Sequence, residues 1–351
     1  MFPSTLPAPR ITDSRQVPQL RWGIIGPGWI ADHFAHALRQ HTHQHTHQQI
    51  TAVAARDPAK ARAFADKWSI GHATGDLNAM LARDDVDAVY IATPHNHHFP
   101  DGLRAIAAGK HLLIEKPLAL NAQQAAQLKH AAAAANRLCM EAMWCNFAPK
   151  YDVIRQLLED GVLGNVHTLI ADHGEFFTPD HRIFNADLAG GPMLDLGSYL
   201  VALSVFVGGG APDTIVARGQ PVPDGRVNGQ TSMLFTHQHG MQSVLNTTLF
   251  SNTPGCAVIA GRDATLELAG QFYAPGNFTL TSSDRRHRLQ WQEPTNRYEQ
   301  LCHEINHFAW CVGQNLIDSP VHSLDQAIIT LAAMDNVRQQ IGVTFNEEQQ
   351  P

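Results

Sequence analysis

The sequence has little charge and no long apolar run. Only 16% of its 351 residues are charged, and 25 Lys and Arg against 32 Asp and Glu leave a net charge of −7 with neutral His. Proteins that bind phosphate backbones carry a basic excess, so nucleic acid is not expected as a partner. The longest apolar stretch, around Leu200 to Val207, is far shorter than the ~20 residues of a membrane span. We therefore expect no membrane partner.

Cysteine is also sparse, and the five residues form no CxxC pair. Neither a disulfide framework nor a zinc knuckle is indicated, so a reducing cytoplasm is the expected location. The first twenty residues contain four Pro and lack the apolar core of a signal peptide. Residues 1–19 are predicted to form a flexible arm.

What the sequence does contain is an alternation of short apolar runs with helical patterns, from Leu20 to about Cys145. This alternation is typical of βαβ units, so an α/β fold with a Rossmann domain, a doubly wound parallel sheet, is predicted over residues 20–146. Beyond Asn146, strand patterns recur at short spacing with turn residues between them, and two helical patterns close the chain. An α+β domain with a largely antiparallel open sheet is predicted over residues 147–351.

A glycine-rich turn follows the first predicted strand and opens a helix, in the run Gly23-Ile-Ile-Gly26-Pro-Gly28-Trp29-Ile30-Ala31. In a dinucleotide site Gly26 would form the tight turn and Gly28 would let the backbone approach a pyrophosphate. The amides at the helix start, with Trp29 and Ile30, would favour the anion. The alternative interpretation is a tight turn without a ligand.

The end of the second predicted strand bears on the choice between NAD and NADP. An NAD site places Asp or Glu there to bind the ribose 2′-hydroxyl. This sequence has Ala54-Ala55-Arg56, whose guanidinium suits a 2′-phosphate, and Lys60 follows one helical turn later. NADP(H) is therefore favoured over NAD(H). Alternatively, Arg56 stacks on the adenine or faces solvent.

Four further motifs follow the glycine turn: Thr93-Pro94-His95-Asn96-His97-His98, Glu115-Lys116-Pro117, Glu141-Ala-Met-Trp144 and Gly191-Pro-Met-Leu-Asp195-Leu-Gly-Ser-Tyr199. In this order they resemble the Gfo/Idh/MocA family of glucose-fructose oxidoreductase and inositol dehydrogenase, over Leu20 to Gln340. The last two motifs are most similar to the branch of dimeric dihydrodiol dehydrogenases and NADP-dependent sugar dehydrogenases.

The resemblance implies hydride transfer between a nicotinamide and a secondary alcohol or carbonyl of a sugar, polyol or trans-dihydrodiol. It also implies a homodimer or homotetramer formed through the C-terminal sheet. The family's catalytic residues carry over onto Lys116, Asp195 and Tyr199. Its other contacts carry over onto Thr93, Pro94, His95, His98, Glu115 and Lys116 for the cofactor, and onto Trp144, His173 and Tyr298 for the substrate.

The proposed catalysts also make chemical sense as residue types. Asp195 and Tyr199 are four apart, so on a helix they share one face. The phenol of Tyr199, with a reference pKa of about 10, is too weak a base at neutral pH unless a cation such as Lys116 favours the phenolate. Asp195 would orient by accepting a hydrogen bond. Taken singly, each residue could be structural: a surface Lys, a helix first-turn acid and a core aromatic.

The 21 His raise the question of a metal. His41, His43, His45 and His47 would share one face of an extended segment, and His303-Glu304-Ile-Asn-His307 matches the HExxH pattern. Neither the Gly nor the third His of the extended zinc motif follows. No metal is predicted. Two rival functions on the same fold stay open, namely a non-catalytic nucleotide-binding regulator and an NAD-assisted glycosidase.

Overall fold

The computed structural model describes residues 2–39, 48–223, 227–293 and 298–348. Its contacts divide the chain into two compact units. The parallel-sheet unit comprises Ile11–Ala148 and Asn296–Leu324, and the mixed-sheet unit comprises Met1–Arg10, Pro149–Thr295 and Asp325–Pro351. The division after Ala148 lies two residues from the predicted boundary at 146.

The parallel-sheet unit holds six strands in the order β3-β2-β1-β4-β5-β6, each parallel to its neighbours. They are β1 (Arg21–Ile25), β2 (Gln49–Ala54), β3 (His72–Thr74), β4 (Ala88–Ile91), β5 (His111–Glu115) and β6 (Cys139–Ala142). This order is that of a Rossmann fold, with the topological switch between β1 and β4, where such sheets bind ligands. The predicted Rossmann domain is confirmed.

The helices of this unit connect and cover its strands. They are α1 (Trp29–Ala37), α2 (Pro58–Trp68), α3 (Leu77–Leu81), α4 (His95–Ala107) and α5 (Ala122–Ala134). Asp57 caps α2 by accepting from the amide of Ala59, and Asn121 caps α5 by accepting from that of Gln124. The C-terminal helix α8 (Leu301–Gly313) belongs to this unit because Phe308 packs 4.9 Å from the fully buried ring of Trp22 in β1.

The mixed-sheet unit holds eight strands in the order β14-β13-β12-β11-β7-β10-β9-β8, antiparallel except for the parallel pair β7 and β10. The strands are β7 (Val166–Gly174), β8 (Thr214–Pro221), β9 (Asn228–Thr236), β10 (Gln242–Thr248), β11 (Ala257–Gly261), β12 (Ala264–Leu268), β13 (Phe278–Ser282) and β14 (Arg288–Trp291). The predicted largely antiparallel sheet is confirmed.

Helices α6 (Pro149–Glu159), α7 (Ser198–Gly208) and α9 (Leu324–Gln340) complete the described elements above one turn in length, and α7 packs on β7 and β10. By length and composition the segment Ala186–Gly208 could cross a membrane, and 72% of its most apolar window is buried within the protein. Residues predicted as a flexible arm make specific contacts: the amide of Arg10 donates to the carboxylate of Asp152, and the carbonyl of Ala8 accepts from Gln156.

Candidate active site

A cavity of about 650 Å³ opens at the switch point of the parallel sheet. Gly26 forms its turn with a φ of +85°, and a Cβ there would lie 2.8 Å from the carbonyl oxygen of Ala92. Gly28 then precedes α1 with an extended backbone and no side-chain cap. The first amides of a helix have no partner within it, so this corner suits an anion. The glycines therefore fit a dinucleotide in the way that the motif predicts.

Charged side chains of both signs line this cavity. Predicted residues Gly26, Gly28, Arg56, Lys60, Thr93 and Pro94 all line it, together with His97, Asp101 and Arg104, which were not among the predicted site residues. Two of its acids accept hydrogen bonds as helix caps, since Asp57 accepts from Ala59 and Asp76 accepts from the amides of Asn78 and Ala79. Burial raises the pKa of the third, Asp101. The exposed cations Arg56 and Lys60, at the end of β2, are the groups in this wall that suit a phosphate.

The other histidines of the Thr93 to His98 motif lie beside the cavity rather than in its wall. They occupy the first turn of α4, where His95 and His98 are buried. The ring of His98 lies between two carbonyl oxygens, 2.8 Å from that of Pro117 and 2.9 Å from that of Thr93. Burial lowers the pKa of the His98 ring. His98 thereby ties the cavity loop to the turn that follows Lys116.

Lys116 directly follows β5 and is half-buried. The preceding Glu115 is buried, and its carboxylate accepts from the hydroxyl of Tyr90 at 2.5 Å and from the amide of Lys116 at 3.1 Å. Burial raises the pKa of Glu115. This carboxyl group anchors the turn that presents Lys116.

Three predicted aromatic residues form a cluster in the same unit. Trp29, at the start of α1, is 64% exposed, and its ring lies edge-on to Tyr298 at 4.9 Å. The ring of Tyr298 also stacks on His33 at 4.1 Å and lies 6.2 Å from the buried Trp144. Ile30 is half-buried beside Trp29.

In the mixed-sheet unit, Asp195 lies in a π-helical turn, Met193–Gly197, that leads into α7. Asp195 and Tyr199 therefore do not lie on one regular α-helix, and the wider turn is a local departure of the kind found at functional sites. The carboxylate of Asp195 pairs with the guanidinium of Arg182, with N to O distances of 3.3 and 3.4 Å. Arg182 has no motif to mark it.

Tyr199 is buried in an aromatic cluster one turn further on. Its ring stacks on that of Tyr273 at 4.3 Å with an interplanar angle of 16°, and His173 lies 5.9 Å away. The Nδ1 of His173 is 3.1 Å from the carbonyl of Leu196, and its Nε2 is 3.1 Å from Glu175 Oε1. The Tyr273 hydroxyl donates to the same Oε1 at 3.2 Å.

Two residues of the HExxH match, Glu304 and His307, are buried on α8. Glu304 is fully buried in α8, and burial raises its pKa well above the ordinary value. His307 Nε2 lies 2.9 Å from the hydroxyl of Ser319. Among the described residues, no three His, Cys, Asp or Glu side chains are grouped as a metal site. His41, His43, His45 and His47 lie outside the described residues.

Sequence reasoning missed residues in both units. His97, Asp101 and Arg104 belong to α4, which was not predicted because Pro100 and Gly102 interrupt its pattern. Glu175 and Tyr273 follow strands and join the Tyr199 cluster only through the folding of β7 and the loop after β12. No local spacing could have found this pair.

Comparison with known proteins gives a consistent family. A model described as "Oxidoreductase family, NAD-binding Rossmann fold" matches residues 20–143, and a GFO/IDH/MocA C-terminal domain model matches residues 151–267. A trans-1,2-dihydrobenzene-1,2-diol dehydrogenase of Mus musculus is 31% identical over 337 residues, 94% of this chain and 99% of that protein. Its Xenopus tropicalis counterpart is 30% identical over 329 residues, 93% of this chain and 99% of that protein.

A solved 3-ketoreductase from Actinomadura kijaniata, in complex with NADP and TDP-benzene, is structurally similar. It has a TM-score of 0.80 and 26% sequence identity, over 92% of this chain and 98% of that one. The resemblance inferred from the motifs is confirmed, as is the prediction of an NAD(P)-dependent dehydrogenase or reductase. The chain belongs to the Gfo/Idh/MocA oxidoreductase family.

Proposed function

We propose that this chain is an NADP(H)-dependent oxidoreductase acting on a secondary alcohol of a trans-dihydrodiol, sugar or polyol. The observation that carries the proposal is similarity to trans-dihydrodiol dehydrogenases along 94% of the chain. Similarity to the 3-ketoreductase crystallised with NADP also supports the reverse reaction, in which a carbonyl is reduced. The sparse cysteines, which form no CxxC pair, agree with a cytoplasmic location.

The preference for NADP rests on charge at the end of β2. Arg56 and Lys60 line the cavity and are exposed, so both are available to a 2′-phosphate. Asp57, the residue after Arg56, accepts from the amide of Ala59 at 2.9 Å through one carboxylate oxygen, as the cap of α2. The residues directly after β2, Ala55 and Arg56, supply no carboxylate for the ribose 2′-hydroxyl of NAD. Glycines Gly26 and Gly28 would hold the pyrophosphate, with Trp29, Ile30, Thr93, Pro94, His95, His98, Glu115 and Lys116 as further cofactor contacts.

When bound, the nicotinamide takes up or returns the hydride. Tyr199 is assigned as the acid/base group: its phenolate accepts the proton of the substrate hydroxyl during oxidation and returns it during reduction. Lys116 provides the cation that favours phenolate and binds the substrate oxygen. Asp195 orients through hydrogen bonds, and its pairing with Arg182 keeps it ionised as an acceptor.

Aromatic rings are assigned to substrate binding. Trp144 and Tyr298 are contacting rings whose faces suit the apolar side of a sugar or a reduced arene. His173 has both ring nitrogens engaged within its own unit, so its contribution to substrate binding would come from the ring face.

Assembly into a dimer or tetramer is assigned to the open face of the mixed sheet. Val216, Leu234, Val244 and Ile170 are register partners across β8, β9, β10 and β7, and their exposures are 62%, 40%, 49% and 52%. A continuous apolar row of this kind is unusual on a monomer surface. Leu234→Asp should shift the mass in sedimentation equilibrium towards the monomer, whereas Thr265→Asp on β12, outside this apolar row, should not. Equal masses for both variants would contradict the assignment.

The proposed activity is tested by a substrate panel. Trans-dihydrodiols, aldoses and polyols are each offered with NADP and with NAD, and nicotinamide reduction is followed by absorbance. We expect reduction of NADP with at least one class and a clear preference over NAD. Equal use of both cofactors would remove the role of Arg56. Glycoside cleavage without net reduction would favour the NAD-assisted glycosidase, and cofactor binding without any turnover would favour the regulator.

A further inference from the structure

We propose that His173 and Glu175 hold one proton between them, and that this neutral pair is the positioning device for Tyr199. The inference rests on the proposed role of Tyr199 as the acid/base group. It assigns a function to Glu175 and Tyr273, which no motif marks, and gives His173 a role through Tyr199 in addition to its proposed ring-face contact with the substrate.

The hydrogen-bond geometry requires the shared proton. A carbonyl oxygen only accepts, so the 3.1 Å contact with Leu196 requires a hydrogen on Nδ1 of His173. A neutral ring with that hydrogen has a lone pair on Nε2. The same Nε2 lies 3.1 Å from Glu175 Oε1, and two lone pairs would repel there. A second hydrogen, on the ring or on the carboxyl group, must lie between them.

The pair is coupled to Tyr199 by direct packing. The Tyr273 hydroxyl donates to Glu175 Oε1, which fixes a ring that stacks on Tyr199 at 4.3 Å. His173 closes the cluster, 4.4 Å from the ring of Tyr273 and 5.9 Å from that of Tyr199. The loop that carries Tyr273 is held by Lys150, a buried residue of α6 whose ammonium donates to the carbonyl of Ala274. The cluster is therefore built from β7, α6, α7 and one loop.

The charge of the pair matters because the His173 side chain is only 4% exposed, while the Glu175 carboxylate is 36% exposed and is therefore screened by water only in part. The titratable and charged groups around it are Glu175 from β7, Tyr273 from the loop after β12, Tyr199 from α7 and Asp195, paired with Arg182, from the π-helical turn. With one shared proton the His173–Glu175 pair has no net charge. Without it, an uncompensated carboxylate would lie in the Tyr199 cluster and disfavour the phenolate that oxidation needs.

The test is a charge-balance cycle measured in the full chain. His173→Gln, Glu175→Gln and the double variant are compared with wild type in the pH dependence of alcohol oxidation at saturating NADP. His173→Gln leaves the carboxylate alone, so the midpoint of the rising rate should move up by about one pH unit and the rate at neutral pH should fall about tenfold. Glu175→Gln removes the anion, so its midpoint should not rise.

The double variant distinguishes a charge effect from a structural effect, because a loss of packing alone would not restore the midpoint of the pH profile. Two neutral amides replace a neutral pair, so the midpoint should return to within about 0.3 pH unit of wild type and most of the lost rate should be recovered. Tyr273→Phe removes the hydrogen bond that fixes the stacked ring but leaves the charge of the pair unchanged, so the rate should fall while the midpoint stays in place. The NADP affinity of every variant, measured by fluorescence titration, reports on folding of the rest of the chain.

Multiplicative losses in the double variant, with an unmoved midpoint in His173→Gln, would overturn the shared-proton role. Tyr199→Phe is measured alongside. If Tyr199→Phe loses turnover and the double variant shows multiplicative losses, this inference alone is refuted. If Tyr199→Phe keeps its turnover, the proposed acid/base group is refuted as well.

Discussion

The two units differ in how their functional residues are encoded. In the parallel-sheet unit the cavity is lined by residues that directly follow strands: Gly26 after β1, Arg56 after β2 and Thr93 after β4. In the mixed-sheet unit the Tyr199 cluster draws on residues about 25 and 75 positions away along the chain, His173 and Tyr273. Local motifs thus mark the residues that line the cavity, while tertiary packing brings together the residues around the proposed base.

This contrast predicts different responses to substitution. A change in the cavity should alter cofactor binding and selectivity while the chemistry persists at saturation. A change in the Tyr199 cluster should alter the chemical step and its pH dependence while cofactor affinity persists. The predictions below test that separation, beginning with the largest expected effect.

Lys116 is the one proposed catalyst that belongs to the parallel-sheet unit. Its substitution should therefore affect the chemical step although Lys116 lies in the unit that contains the cavity. Lys116→Met should lower turnover by about 100- to 1,000-fold, because the cation that favours the phenolate is lost. The exposed Lys67, 57% accessible and paired with Asp32, provides a control in Lys67→Met. Steady-state kinetics in which both variants lose less than about threefold would contradict the role of Lys116.

Substitutions at the two glycines of the turn should separate an effect on folding from an effect on cofactor binding. Gly26→Ala places a Cβ 2.8 Å from a carbonyl oxygen at a φ of +85°, so both stability and cofactor affinity should fall, the former by about 1–3 kcal/mol. At Gly28 the nearest atom to a Cβ is 4.0 Å away. Gly28→Ala should therefore unfold at the wild-type denaturant concentration yet bind NADP more weakly. Wild-type affinity in Gly28→Ala would remove the pyrophosphate from this corner.

Arg56 should decide the choice of nicotinamide cofactor. Arg56→Ala should reduce kcat/KM for NADP by about 10- to 100-fold, the value of a charge-assisted hydrogen bond to phosphate. The value for NAD should change by less than about threefold, since NAD has no 2′-phosphate. Initial rates at several concentrations of each cofactor measure both. A parallel loss with NAD and NADP would show that Arg56 contacts a part common to both.

His111 gives the smallest effect, on stability rather than activity. Burial lowers its pKa from 6.5 to about 4, and its Nδ1 accepts from the amide of Leu138. The unfolded chain therefore binds more protons than the folded chain between these values, so stability is present above pH 6.5 and is lost as the pH falls towards 4. Allowing for its partial exposure, the loss should be about 1 kcal/mol.

Urea unfolding of wild type and His111→Gln at neutral and mildly acidic pH measures this loss. The variant should lack that part of the acid destabilisation, while His130→Gln, at an exposed position on α5, should keep it. Identical acid sensitivity in all three proteins would show that His111 does not carry the effect.

The sequence predicts most of the parallel sheet because each signal there is local. The caps of α2 and α5 are signals of this kind, since Asp57 and Asn121 are residue types that favour helix starts. Helix α4 was missed because Pro100 and Gly102 are poor helix formers. Gly102 is tolerated since a Cβ there would lie 2.8 Å from Leu128, so close packing against α5 compensates for its low propensity.

The mixed sheet was predicted less completely for a related reason. Its edge strands β8 and β14 were missed. Both alternate exposed and half-buried residues and bury none fully, so their core-facing signal is weak. At the site, Asp195 and Tyr199 were found through a motif. Their partners Arg182, Tyr273 and Glu175 required the folded structure, because nothing in local spacing links residues that meet across strands and loops.

The separation between cofactor binding and chemistry is tested most directly with Tyr199→Phe. Its NADP dissociation constant and its single-turnover rate of alcohol oxidation would be measured on the same preparation. We predict an affinity within about twofold of wild type and a rate at least about 1,000-fold lower, because only the phenol proton acceptor is removed. A wild-type rate, or a loss of NADP binding that accounts for the lost activity, would contradict the account.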